Sequence, residues 1–147
     1  MLLGLLLTVA QAGQEPALPP SLAPGALEAC APATLEAAET CLRNSLSRED
    51  LSIVLDRIPA RRFRPHLDCA IETAWRLRDR TAPMAKVMDR LLGVHRPGFA
   101  ASMIISDMQG RALGEPLPFD DFREAIRANP RMVEDTSTCP DPTPDPS

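Results

Sequence analysis

Four cysteines, two histidines and one dense run of arginine are the residues of this chain whose types and spacing could do chemistry. Cys30, Cys41, Cys69 and Cys139 form an even set, the pattern of a disulfide framework in an oxidising compartment. Four cysteines allow three pairings. A helix opening at Pro32 would carry Cys41 about two and a half turns along it, roughly 13 Å from its start. Bridged Cα atoms usually lie within about 7 Å, so this spacing disfavours Cys30–Cys41. The favoured pairs are Cys41–Cys69, stapling two core helices, and Cys30–Cys139, tying the two ends together. On a chain-entropy basis each long loop would contribute about 3 to 5 kcal/mol before strain.

His66 and Cys69 stand three apart, on one face if helical, and His95 follows a later helix. Imidazole and thiolate at that spacing could in principle hold zinc. There is no Cys-x-x-Cys or His-Glu-x-x-His spacing, and an oxidised Cys69 has no thiolate to offer. A Cys69–His95 nucleophilic pair fails on the same ground. Gly-x-Ser-x-Gly, a glycine-rich phosphate loop and Ser-x-x-Lys do not occur. The paired carboxylates Glu49-Asp50 and Asp120-Asp121 fall at helix starts, where capping and the helix dipole account for them. We therefore expect no catalysis, no metal and no cofactor.

The remaining candidate is a binding one. Arg61, Arg62, Phe63, Arg64 and His66 immediately precede or open a helix, where unpaired amides and the macrodipole already favour an anion. The plain reading is a solvated turn, with Pro65 entering the helix and Phe63 stapling it to a neighbour. The functional reading is docking of an acidic protein or an anionic ligand, with Phe63 as an anchor and His95 as a further candidate contact. Trp75 falls on the flank of an apolar stripe and reads as core or core edge. Met84, Met88, Met103 and Met108 could line a peptide groove, but at helical spacing they read as core.

The elements that must position these residues are helices. Leu67, Ala70, Ile71, Ala74 and Leu77 recur at three- and four-residue intervals, as do Met84, Val87, Met88, Leu91 and Leu92. They predict a helix over 67–78, a break at 81–83, and a helix over 84–92 closed by Gly93, packed as a central antiparallel hairpin. Before it, a helix runs from about Pro32 to Ser45. Ser47 to Asp50 reads as a capping box, and Leu51, Val54, Leu55 and Ile58 form a core face up to Pro59. Beyond the Pro97-Gly98 turn, 99–108 predicts a helix, although Met103 to Ile105 alone could be a short strand. Gly110, Gly114, Pro116 and Pro118 break the chain before a last helix over 120–128, which Asn129-Pro130 ends.

His95, Pro97 and the apolar helix behind them resemble a family of small helical domains of unknown function. In that pattern an acidic helix and a His-led helix precede a His-x-Pro-Asp-type turn, an Ile-rich helix and a Gly-x-Pro exit. The matching positions are Leu51 to Pro59, then His66, Ile71 and Trp75, then His95, Pro97, Ile104, Ile105, Gly114 and Pro116. They span about residues 45 to 117. Gly98 and Phe99 stand where that pattern is acidic. The resemblance implies a helical fold and adds no chemistry.

The chain has 147 residues, a net charge of −4, 3% aromatic residues and no tyrosine. This balance argues against nucleic acid as a partner and against a sandwich or barrel. Met1 to Val9 is an apolar run of signal-peptide size, and Ala10-Gln11-Ala12 reads as its cleavage signal, although no basic residue precedes the run. A buried N-terminal helix is the plain alternative. The expected organisation is a signal over 1–12, a Pro/Ala-rich linker over 13–31, a helical domain over 32–139 and a disordered Pro-rich tail over 140–147. The expectation is an all-α bundle of five or six helices, monomeric and periplasmic or secreted, with no membrane span once the signal is removed. It would act as a non-catalytic binding module. The alternative role is a structural or chaperone-like, stress-protective envelope protein.

Overall fold

The helix from Pro97 to Ala112 is the one on which four of the others are laid. Pro97 occupies its first turn, where the missing N–H leaves nothing unpaired and the fixed φ suits the helix. Ala100, Ala101, Met103, Ile104, Ile105 and Met108 are all buried, so the helix is apolar around most of its girth and has to be covered from several sides. The run Met103 to Ile105 is therefore helix, and no strand occurs among the described residues. This is a computed structural model, and it describes residues 22–23, 25–56, 64–134 and 139. The expected signal, most of the expected linker, the 57–63 connection and the expected 140–147 tail lie outside them.

The described residues form seven α-helices: α1 Ala26–Cys30, α2 Leu35–Ser45, α3 Arg48–Leu55, α4 Arg64–Ala74, α5 Pro83–Leu92, α6 Pro97–Ala112 and α7 Phe119–Ala128, followed by a 3₁₀ turn Pro130–Met132. The fold is all-α, as composition and periodicity predict. α6 touches α2, α3, α4 and α5, most extensively α4, while α7 lies on α5 and α1 lies on α2 and α4. α4 and α5 follow one another as expected, but their main contacts are with α6 and α7 rather than with each other. The reason lies between them. α4 ends at Ala74, Arg76 takes a left-handed φ of 53°, and Leu77 N–H closes on Glu72 O at 3.0 Å. Trp75 and Leu77 thus enter the core from a turn instead of prolonging the helix.

Helix ends follow local chemistry. Thr34 caps α2 by accepting the Ala37 amide at 3.1 Å, so that helix starts three residues beyond Pro32. Ser47 caps α3 through the Asp50 amide at 3.1 Å, as expected. Gly93, with φ 73°, closes α5 by donating to Asp89 O at 2.8 Å. α6 runs through Gly110, which was expected to break it. A Cβ there would lie 2.2 Å from Glu115 O, so only glycine admits the returning chain.

The disulfide pairing differs from the favoured one. The bonds are Cys30–Cys41, with Cα atoms 6.0 Å apart, and Cys69–Cys139, with Cα atoms 4.7 Å apart. Neither Cys41–Cys69 nor Cys30–Cys139 forms. The expectation failed because Cys30 does not continue into α2. It ends the separate helix α1, Ala31 turns with φ 41°, and α1 folds back onto α2. The domain accordingly begins inside the segment read as linker: Leu27 is 3% exposed, and its carbonyl accepts the Trp75 indole N–H at 3.0 Å.

Candidate functional site

Of the basic group singled out by sequence, Arg61, Arg62 and Phe63 lie outside the described residues. Arg64 opens α4, and its Nη2 donates to Ser102 O at 2.6 Å, Ser102 Oγ at 3.1 Å and Ser106 Oγ at 2.8 Å. Its guanidinium thus fastens α4 to α6 across their interface, a structural use that the sequence did not suggest. His66 is exposed on the same helix. His95 sits just beyond α5, its Nδ1 3.0 Å from both carboxylate oxygens of Asp89. No hydrogen bond or ion pair among the described residues joins His66 to His95. Cys69 spends its sulfur on Cys139, and no group of three or more metal-ligating side chains occurs among the described residues.

The residues that sequence reading passed over are buried and acidic. Glu39 on α2 is 4% exposed and Asp107 on α6 is wholly buried. Asp107 Oδ2 accepts Arg111 Nε at 2.7 Å, and Oδ1 accepts the Leu117 amide at 2.9 Å, which ties the loop after α6 back to the helix. Glu39 Oε2 lies 3.5 Å from the same Arg111 nitrogen, yet neither Glu39 oxygen accepts a hydrogen bond from a nearby N–H donor. Burial first, and the adjacent Asp107 second, push the Glu39 carboxyl up to about 8, against the pull of Arg111 and Arg43.

A second buried group lies on α4. Asp68 is 5% exposed with Oδ1 unpartnered. Burial raises it to about 6, Arg64 opposes that rise, and Glu72 adds to it. Glu72 is itself buried and accepts Arg78 Nε at 2.7 Å. Gln109 completes the polar inventory of α6 by donating to Val54 O at 2.7 Å, which joins α6 to α3. One signal in the sequence could have found these groups. Glu39 falls four residues after Leu35 and three before Leu42, on the apolar stripe, and Asp107 and Gln109 flank Met108 inside an apolar run.

A groove of about 420 Å³ lies between the end of α5 and α7, with Gly93, Val94, Arg123, Ile126 and Arg127 in its lining. Arg123 is paired there with Asp120 at 2.7 Å. Among the described residues, no helix is long and apolar enough to cross a membrane. No family model, no curated protein and no solved structure matches the chain.

Proposed function

We propose that this chain works outside the cytosol as a small disulfide-stapled helical module that acts by binding rather than by catalysis. The observation that carries the reading is the closure of all four cysteines into two bonds, one within the α1–α2 corner and one joining α4 to the C-terminal segment. Reducing compartments do not sustain such bonds, whereas secreted and periplasmic domains of this size rely on them. The binding partner is an acidic protein or an anionic ligand, met by Arg61 and Arg62 ahead of α4 together with the exposed His66. Arg64 does not belong to that surface, because its guanidinium is committed to Ser102 and Ser106.

Two measurements test this. Protein recovered from its native cells with thiols trapped at lysis should take up no alkylating reagent until it is reduced, and four labelled thiols would overturn the export reading. A fluorescent poly-glutamate peptide should lose at least about tenfold in affinity for R61S/R62S protein while the melting temperature stays unchanged. Equal binding by the variant would overturn the assignment of the surface.

A further inference from the structure

We infer that Glu39, Asp107 and Arg111 form a proton-operated latch between α2 and α6, closed while Glu39 carries a proton and weakened when it loses it. Two buried carboxyl groups face one guanidinium, and Arg111 is already bonded to Asp107 at 2.7 Å while standing 3.5 Å from Glu39. Asp107 accepts two donors, as a carboxylate does, whereas Glu39 accepts none. An ionised Glu39 would be a buried anion beside another anion, without a donor of its own, so the closed interface favours the protonated acid. The groups acting on it are Asp107 and Arg111 from α6 and Arg43 from its own helix, with Glu36 of α2 acting on Arg111. α1, the other helix packed on α2, carries Glu28, which is exposed.

The direction of the response follows. In the open state Glu39 is solvated and titrates near the ordinary 4.5, and in the closed state near 8. Between those values opening releases a proton, so each pH unit favours opening by up to about tenfold, and the effect levels off above about 8. The latch is tightest in acid and slackest in mild alkali. Because Cys30–Cys41 bonds α1 to α2, those two helices move as one unit. Their displacement uncovers the part of α6 that α2 covers and breaks the Trp75 bond to Leu27 O. The latch stands independently of the proposed binding role.

Hydrogen exchange of the oxidised full chain at pH 5, 6, 7 and 8, corrected for the intrinsic pH dependence of exchange, reads the latch directly. Protection of amides in α2 should fall by at least about 30-fold from pH 5 to pH 8, with a smaller change in α5 and α7. E39Q should hold α2 protection nearly constant across that range, and D68N should leave the α2 response as in the wild type. Flat protection in the wild type, or a persisting pH response in E39Q, would overturn the inference. Should E39Q fold poorly, the side-chain carboxyl ¹³C titration of Glu39 in the wild type decides instead. A midpoint near 8 supports the latch, and one near 4.5 overturns it.

Discussion

Gly110→Ala sets helix propensity against packing, and the structure decides which wins. Gly110 lies inside α6, where alanine ordinarily gains about 0.8 to 1 kcal/mol over glycine. Here the new Cβ would stand 2.2 Å from Glu115 O, and ordinary contact begins at 3.4 Å, so the backbone at Glu115 has to retreat by about 1.2 Å. That segment is held by two bonds, from Glu115 N–H to Gly110 O at 2.8 Å and from Leu117 N–H to Asp107 Oδ1 at 2.9 Å. Overpacking of this kind costs about 1 to 3 kcal/mol. Stretching a neutral bond and a charge-assisted one costs about 1 to 3 more. After the propensity gain is subtracted, a net loss of about 1 to 5 kcal/mol remains, or roughly 5 to 25 °C in melting temperature for a domain of this size. Thermal and urea unfolding followed by circular dichroism at 222 nm would measure it. A G110A variant as stable as the wild type, or more stable, would refute the close approach of Glu115 to α6.

Other perturbations test other joints. R64Q removes three hydrogen bonds to Ser102 and Ser106 and the countercharge to Asp68; with its partial exposure discounted, it should cost about 2 to 3 kcal/mol in urea unfolding, and a loss under about 0.5 would show that the guanidinium does not fasten α4 to α6. Replacing Cys69 and Cys139 together by serine frees a sequence separation of 70 and should cost about 4.4 kcal/mol, whereas the Cys30 and Cys41 pair, with a separation of 11, should cost about 2.8. The reverse order would contradict the loop assignment. Asp68 titrates near 6 when folded against 3.8 otherwise, so its contribution to stability is present below about 3.8 and is lost as pH rises to about 6. D68N should therefore flatten the fall in unfolding free energy between pH 4 and pH 6, measured by urea titration, by at most about 3 kcal/mol, and an unaltered slope would show that Asp68 is not the group titrating.

Periodicity made α2 to α7 legible because each carries apolar residues at helical intervals, and Ser47 announced the start of α3. α1 was not legible. Five residues in a proline-rich stretch carry too short a pattern, and only burial of Leu27 and the bond to Trp75 reveal it. The disulfide pairing went astray for the same reason, since a straight helix from Pro32 places Cys41 out of reach of Cys30, and the left-handed turn at Ala31 restores it. The extent of α6 was hidden by Gly110, whose role is a contact with Glu115 rather than an end. Glu39, Asp68 and Asp107 were hidden by their type, because a carboxylate within a helix reads as solvated surface until the neighbouring helix is seen to cover it. Arg64 was legible as a charge near a helix start, but its partners lie 38 and 42 residues away, beyond any local pattern.

The cross-linking pattern is the feature on which both the compartment and the α1–α2 corner depend, and peptide mass spectrometry of unreduced protein reads it directly. No Lys or Arg separates Cys30 from Cys41, so trypsin leaves them on one peptide, and cleavage after Glu36 and Glu39 is needed to part them. The digest should then yield a Cys30 fragment joined to a Cys41 fragment and a Cys69 fragment joined to a Cys139 fragment, with no alkylated thiol. Cys41 joined to Cys69 and Cys30 to Cys139, or four thiols open to alkylation, would contradict it.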